Sequence, residues 1–337
     1  MKLSASLILM TIALMAFATG IPAQNVRLKP LFSITGADLV NKLNMPCDVF
    51  VDDRHGEIYV VDGGNSRVVV FELDGFYKHR FTISSKSGGP GSLVVNSRGE
   101  ILVTVGGRIA ICDFRGSLLE YVDFRGFPYA EDVNAGRIRI DKHNNYYVVD
   151  AGRYRVLAFD SDWNFRFAIG RESLPRTGRN LTHTNEQEEP MVEALGIGDV
   201  CVDDEGMVYI VDPMASHVYV FSDEGEYERS IGQAGAAFAS LSLPFGVAVD
   251  SQGRVLVTDS TGHGLLGYDK EGRFLFALGG MGSSPGRFYF PKRVSTDGNG
   301  RIYVVEPFLN RVQVLTTELR SAITEPPLSL TDTETGS

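Results

Sequence analysis

One pattern occurs six times along the 337-residue chain: a polar turn, an apolar strand that ends in a carboxylate in five of the copies, a second turn and a further strand. The copies are GEIYVVDGGNSRVVVF, GEILVTVGGRIAIC, NNYYVVDAGRYRVLAF, GMVYIVDPMASHVYVF, GRVLVTDSTGHGLLGY and GRIYVVEPFLNRVQVL. Their aligned positions are Asp62, Val105, Asp150, Asp212, Asp259 and Glu306, which are separated by 43, 45, 62, 47 and 47 residues. Such a period is typical of four-stranded propeller blades. The sequence therefore predicts an all-β fold, a six-bladed β-propeller.

The last copy lacks a fourth strand of its own, because the chain after Leu315 becomes rich in Thr, Ser and Pro. The segment VRLKPLFSITG at residues 26–36 is similar to the fourth strands of other copies, such as FLFALGG and YERSIGQAG. We therefore expect the N-terminal strand to close the last blade. This closure would remove an open sheet edge that could pair with other chains.

Three stretches carry a family resemblance: PFGVAVDSQGRVLVTDS, FPKRVSTDGNGRIYVVEPFLNRVQVL and DGGNSRVVVF. They resemble the units of the NHL-repeat family, and the resemblance covers about residues 26–317. It implies a six-bladed propeller with ligands at the mouth of the central channel. The second copy departs most, since Val105 replaces the carboxylate. The family includes ligand-sensing domains, interaction platforms and lyases, so the fold does not assign the function.

The N-terminus has the form of an export signal. Lys2 is the only charge before the apolar run at residues 3–23, which ends in small residues. We expect a signal peptide at residues 1–24, a propeller at 25–317 and a disordered tail at 318–337. An uncleaved anchor is the alternative for the first segment. We expect an exported protein, periplasmic or extracellular in a bacterial envelope, with no transmembrane span in the mature chain.

Charge and cysteine content exclude several function classes. The net charge of −10 argues against nucleic acid as a partner, because phosphate backbones are repelled. The three cysteines, Cys47, Cys112 and Cys201, show no CxxC spacing. We expect no cofactor, small buried thiols and a monomeric protein.

Charged residues recur where each first strand begins. The aligned positions are Asp48, Ser92, Arg137, Asp199, Gly246 and Arg293. In a closed ring we expect Arg293 beside Asp48 and Arg137 beside Asp199. These groups either form ion pairs that satisfy each other or bind a polar ligand through their guanidinium groups.

The carboxylates at the ends of the second strands favour a structural role. Arg67, Arg155, His217 and Arg311 follow four of them by five residues. A repeated carboxylate of this kind can accept backbone N–H groups in the following turn and pair with that cation. Near-identical copies favour a scaffold role over one active site.

Two irregular loops are candidates for function because loops on a rigid scaffold often carry it. They are the insertion at residues 171–196 and the shorter loop at 125–136. We expect them to bring Tyr129, Asp132 and His183 near Arg137 and Asp199 at the channel face. The alternative is a pair of solvated surface loops.

The resemblance also raises the possibility of an enzyme, because lyases and lactonases of this fold use metals at the channel mouth. Only His183, His217 and His263 are expected on that face, and they share no spacing signature. We predict no catalytic residue and no metal ligand. The favoured function is an exported, non-catalytic platform for a protein or a small polar ligand, and the alternative is a metal-dependent lyase or lactonase.

Overall fold

A computed structural model describes residues 26–38, 41–83, 88–170, 182–184, 190–192, 196–233 and 240–319. Its strands form six four-stranded antiparallel sheets, arranged as the blades of a ring, and one two-stranded ribbon. The structure confirms the predicted all-β, six-bladed propeller.

The strands follow the chain order of the repeats. The first strand is β1 (Val26–Ile34). Blade 1 contains β2 (Pro46–Asp52), β3 (Glu57–Asp62), β4 (Arg67–Glu72) and β5 (Tyr77–Thr82). Blade 2 contains β6 (Pro90–Val95), β7 (Ile101–Val105), β8 (Arg108–Cys112) and β9 (Leu118–Tyr121). Blade 3 contains β10 (Ala135–Ile140), β11 (Tyr146–Asp150), β12 (Arg155–Phe159) and β13 (Phe165–Ile169).

The second half of the ring repeats this arrangement after a two-stranded ribbon. The ribbon consists of β14 (Thr182–Thr184) and β15 (Pro190–Val192). Blade 4 contains β16 (Asp199–Val202), β17 (Val208–Asp212), β18 (His217–Phe221) and β19 (Tyr227–Ile231). Blade 5 contains β20 (Pro244–Val249), β21 (Val255–Asp259), β22 (Gly264–Tyr268) and β23 (Phe274–Gly279). Blade 6 contains β24 (Arg293–Thr296), β25 (Arg301–Glu306), β26 (Arg311–Leu319) and β1. Three-residue 3₁₀ turns lie at Gly63–Asn65, Ala130–Asp132 and Pro307–Leu309.

The N-terminal strand closes blade 6, as predicted. β1 pairs antiparallel with β26, from Val26 opposite Leu319 to Ile34 opposite Val312. The pairing continues two residues past residue 317, where we expected the propeller to end. Ring closure therefore depends on hydrogen bonds between the two ends of the described chain.

The core is divided among the seams between neighbouring blades. Six clusters of buried apolar side chains occupy the six seams of the described ring. At the seam of blades 1 and 2, for example, Val61 and Val68 pack with Leu93 and Val103. β-branched residues pack well on pleated, half-buried sheet surfaces, which explains why they are frequent in the repeats.

Four of the innermost strands have a bulge near the point where they begin. In blades 1, 2, 3 and 5 the pairing with the second strand shifts directly before the aligned position, as between Pro46 and Asp48. β-bulges bend a strand and re-aim its side chains. The bulge thus lies beside the side chains that gather in the channel.

The turns between second and third strands lie on the same face as the beginnings of the innermost strands. The backbone N–H of Asn44 donates to Asp62, and that of Met45 donates to Asn310 of the preceding blade. We call this the mouth face. The turns between first and second strands lie at the other strand ends and form the opposite face.

In the part of the chain that the structure describes, no helix has the length and apolar character needed to cross a membrane. The predicted signal peptide at residues 1–24 lies outside the described residues. So does the predicted tail from residue 320 onward.

A candidate ligand site in the central channel

Two buried carboxylates face each other from opposite blades, and one arginine joins them. Asp48 of blade 1 and Asp199 of blade 4 are 1% and 0% exposed. Arg139 of blade 3 donates from Nη1 to Asp48 Oδ2 at 3.0 Å and from Nη2 to Asp199 Oδ1 at 3.1 Å. Its Nη2 also donates to Asp48 Oδ1 at 3.1 Å. Arg139 therefore occupies both carboxylates and bridges the channel.

Asp48 is held ionised by its surroundings. Burial by itself would raise the pKa of this carboxyl. The guanidinium groups of Arg139 and Arg137 and the hydrogen bonds from Arg139 and Ser92 outweigh that effect, so the pKa lies below its usual value. Ser92 donates from Oγ to Asp48 Oδ2 at 2.5 Å. Arg137 Nη1 is 3.6 Å from Asp48 Oδ1. That nitrogen makes no hydrogen bond within the described chain.

Among the described residues, no carboxylate forms an ion pair with Arg293. Its Nη1 donates to the Phe245 carbonyl oxygen at 2.5 Å, and its Nε is buried without a hydrogen-bond partner among the described residues. Burial, followed by repulsion from Arg137, lowers the pKa of Arg293 to about 9. Burial also lowers the pKa of Lys292, again with contributions from both arginines. The site thus contains buried positive charge that the protein itself compensates only in part.

The side chains that act on one another here form the channel cluster: Asp48, Arg137, Arg139, Asp199, Lys292 and Arg293. Four cationic groups share two carboxylates, and one of the four already occupies both. Burial opposes the charge on Arg139, yet Asp199 and Asp48 raise the pKa of this guanidinium. The excess positive charge therefore resides on the remaining three groups.

The ion pairs differ from those that we predicted, although Asp48 is close enough to Arg293 to oppose the lowering of its pKa. We expected Arg137 beside Asp199, but Arg137 approaches Asp48 instead, and Arg139 holds Asp199. The hydrogen bond of Arg293 goes to a backbone carbonyl rather than to Asp48. The reason is that the channel is narrow enough for a long side chain of blade 3 to reach past blade 2 to blade 1, so neighbours in the ring order are not the only partners.

Sequence reasoning missed Arg139 because it aligned only the first inward-facing row. Side chains two residues further along a strand point to the same side. The second row is Phe50, Val94, Arg139, Cys201, Ala248 and Ser295. The single charge in that row was the signal that could have identified Arg139.

Tyr129 and Asp132 form a separate cluster with blade 3. Arg153 Nη2 donates to Asp132 Oδ2 at 2.8 Å, and the Arg153 guanidinium lies 3.8 Å from the centre of the Tyr129 ring. Their described partners are therefore in the turn after β11 rather than in the channel. His183 pairs with Met191 through the backbone of the β14–β15 ribbon, and its side chain lies outside the described residues.

The carboxylates that end the second strands have the structural role that we predicted. Asp150 Oδ1 accepts the N–H groups of Asn134 and Gly152, while its Oδ2 accepts Arg155 Nε at 2.9 Å. The other four bind turn or strand N–H groups in the same manner: Asp62, Asp212, Asp259 and Glu306. These carboxylates cap turns, and several of them also hold the segment that leads into the first strand of the same blade.

Two histidines of the mouth face, His217 and His263, have hydrogen-bond partners within the protein. His217 Nδ1 is 2.6 Å from the Ala215 carbonyl oxygen, and His263 Nδ1 accepts the Phe290 N–H at 3.2 Å. Among the described residues, no three His, Cys, Asp or Glu side chains are grouped so that they could hold a metal ion.

No protein-family model matches the chain, and no curated protein matches it. Its fold is nevertheless shared with many solved structures. Virginiamycin B lyase from Staphylococcus aureus is 12% identical with a TM-score of 0.54, over 86% of this chain and 99% of that one. An auxiliary nutrient binding protein from Bacteroides ovatus is 12% identical with a TM-score of 0.58, over 88% and 77%.

A protein of unknown function from Bacteroides thetaiotaomicron is 16% identical with a TM-score of 0.62, over 88% of this chain and 76% of that one. At such low identities these likenesses establish the fold alone. The chain is a six-bladed β-propeller whose channel contains a cluster of opposed charges.

Proposed function

We propose that this chain is an exported, non-catalytic propeller of the NHL-repeat type. It binds an anionic group of a small polar ligand or a protein at the channel mouth. The observation that carries the proposal is that Arg137 and Arg293 are largely buried cations, each with a buried N–H group that has no partner in the described chain. Buried charge without a partner is costly, and an incoming carboxylate or phosphate would compensate it.

The members of the channel cluster have different roles in this proposal. Arg137, Arg293 and Lys292 supply the charge that attracts the anion. Asp48 and Asp199, held by Arg139, are positioning residues that keep the cluster rigid and would not contact the anion themselves.

In this proposal the other predicted site residues act outside the channel. Tyr129 and Asp132 precede the innermost strand of blade 3, and His183 is in β14, which precedes that of blade 4. There they would contact the part of the ligand that protrudes from the mouth. The net charge of −10 makes the positive channel a local feature and argues against nucleic acid. We propose a monomer that needs no cofactor.

Calorimetric titration of the chain lacking residues 1–24 with succinate, citrate and inorganic phosphate tests the proposal. We expect at least one of these anions to bind and to raise Tm. Arg293→Gln and Arg137→Gln should abolish both effects. Arg98→Gln is the control, because Arg98 is an exposed arginine of the opposite face, paired with Glu100. The proposal fails if no anion binds or if the channel variants bind as well as the control.

The alternative is a metal-dependent lyase or lactonase, favoured by the fold shared with virginiamycin B lyase. Elemental analysis of the purified chain separates the two. A stoichiometric metal that is lost on His217→Ala or His263→Ala substitution would support the enzyme and contradict the non-catalytic function.

A further inference from the structure

The mouth face carries a group of aromatic side chains where blades 5 and 6 meet. The ring centres of Tyr289, Phe290 and Phe308 are separated by 4.9, 5.8 and 6.4 Å, and the His263 ring lies 4.6 Å from that of Phe290. We call these four residues the mouth aromatic cluster. Phe308 is 56% exposed, and the other three are partly exposed. Contiguous apolar groups that remain exposed on a folded protein mark binding surfaces.

The backbone of this cluster has a strained conformation. Phe290 has a φ of +47° and is followed by Pro291. A positive φ is rare for a bulky residue. The N–H group of Phe290 donates to His263 Nδ1 at 3.2 Å, and His263 has a φ of +49° itself. Such strain persists only where the surrounding structure fixes it, and it is frequent where proteins grip ligands.

The large side chains occur on one side of the mouth. In a ring of six blades, blade 3 stands opposite blade 6. Three mouth positions can be aligned between these blades, where Phe290, Lys292 and Phe308 correspond to Asn134, Gly136 and Gly152. A purely structural role would recur from blade to blade, as it does for the turn carboxylates. Blade 6 therefore forms a one-sided wall against which a ligand can pack.

A cationic group that a ligand can reach lies beside the aromatic cluster. Lys292 follows Phe290 by two residues, so their Cα atoms are at most about 7 Å apart. Lys292 Nζ lies 5.3 Å from the centre of the Phe245 ring, and no described carboxylate pairs with this ammonium group. Its side chain is partly exposed, whereas Arg293 is 7% exposed. An incoming anion can therefore contact Lys292 directly.

We propose that the anion of the channel site is an arylalkanoate, whose carboxylate binds Lys292 and whose ring packs on Phe290 and Phe308. This inference rests on the anion-binding function proposed above and names the class of ligand. A phenyl ring gains from the burial of its apolar surface and from edge-to-face contacts with other rings. The carboxylate gains a charge-assisted hydrogen bond from an ammonium group that has no other anionic partner in the described chain.

The same surroundings disfavour an amino acid or a peptide. Both carry a nitrogen donor on the carbon atom next to the carboxylate. Asp48 and Asp199 are already bound by Arg139, and the neighbouring groups Lys292 and Arg293 are cationic. An ammonium group would be repelled here, and an amide N–H group would find no free acceptor among these side chains.

Ligand-observed NMR titration of the chain lacking residues 1–24 tests the inference with 3-phenylpropionate, propionate and hexanoate. We expect 3-phenylpropionate to bind about tenfold more tightly than propionate, and more tightly than hexanoate, because only its ring makes aromatic contacts. Neutral 3-phenylpropan-1-ol and zwitterionic phenylalanine should each bind about tenfold more weakly than 3-phenylpropionate, since the first lacks the charge and the second adds a repelled ammonium group.

Three substitutions assign the contacts. Phe308→Ala should remove most of the gain of 3-phenylpropionate over propionate and leave Tm unchanged, because this side chain is largely exposed. Lys292→Met should weaken the binding of both acids. Phe76→Ala is the matched control, since Phe76 is a 74% exposed phenylalanine in the turn between β4 and β5. It should leave every affinity unchanged.

The outcomes separate this inference from the function on which it rests. If citrate, succinate or phosphate binds but 3-phenylpropionate binds no more tightly than propionate, the ligand class is wrong and the anion site stands. Unchanged binding of 3-phenylpropionate by Phe308→Ala would have the same meaning. If none of the anions binds, both proposals are wrong. Tighter binding of phenylalanine, or of a tripeptide that ends in phenylalanine, would overturn the assignment to a free aryl acid.

Discussion

The turns of the mouth face and the central channel both contain carboxylates and arginines, but the two regions differ in how far the hydrogen-bonding groups of these residues have protein partners. In the turns, Asp150 accepts two backbone N–H groups and pairs with Arg155, so its hydrogen-bonding capacity is used within the blade. In the channel, Arg137 and Arg293 each have a buried N–H donor without a partner among the described residues. The turn position carries a carboxylate in most blades, and its role is structural. The channel position carries a different residue in most blades, and the resulting positive charge is compensated only in part.

The largest effect that would test this contrast is expected at Arg139. Arg139→Met leaves Asp48 and Asp199 buried without their main partner, and breaking a buried ion pair in this way costs about 3–5 kcal/mol. Urea denaturation should show this loss in the free energy of unfolding. The triple variant Arg139→Met, Asp48→Asn, Asp199→Asn should recover part of it, and failure to do so would mean that Arg139 stabilises the ring by packing alone.

A smaller loss is expected in the turns. Asp150→Ala removes the acceptor for two backbone N–H groups and for Arg155, at a cost of about 1–3 kcal/mol. Anion binding in the channel should be unchanged, as measured by the same titration with citrate. A loss of anion binding without a loss of stability would contradict the scaffold role of these carboxylates.

Arg293→Met should change stability least among these substitutions. It removes an incompletely compensated buried charge and leaves no carboxylate unpaired, so we expect the free energy of unfolding to stay within about 1 kcal/mol of the wild type. Urea denaturation of Arg293→Met in parallel with Arg139→Met compares the two free energies of unfolding directly. If both variants lose the same stability, the channel cluster is a structural unit and the proposed distinction is wrong.

The smallest effect concerns the reactivity of Lys292. Its lowered pKa increases the fraction of neutral amine at a given pH, whereas the hydrogen bond to Glu57 raises the pKa of Lys78. Acylation by acetic anhydride at pH 8, followed by mass spectrometry, should therefore favour Lys292 relative to Lys78. Arg293→Met should reduce this preference, because one of the charges that lower the pKa of Lys292 is removed. Equal labelling in both proteins would contradict a coupled channel cluster.

The repeat alone predicted the number of blades, the closing strand and the capping role of the turn carboxylates. These features depend on contacts within one repeat or between chain segments of similar pattern, so alignment of the copies was sufficient. Glu306 illustrates this, because it accepts the N–H group of Tyr289 in the segment before β24 and pairs with Arg311 five residues later. Residues 1–25 and most of the insertion lie outside the described structure, so the expectations about export and His183 stay predictions.

What the sequence determined is the scaffold, because its periodicity records which positions face the core in every blade. Only the tertiary structure decided the partners in the channel, where Arg139 reaches residues 91 and 60 positions away in the chain. It also decided that Arg293 donates to the carbonyl oxygen of Phe245 in the neighbouring blade. Such choices depend on side-chain length and on competition for single oxygen atoms, which no repeat pattern records.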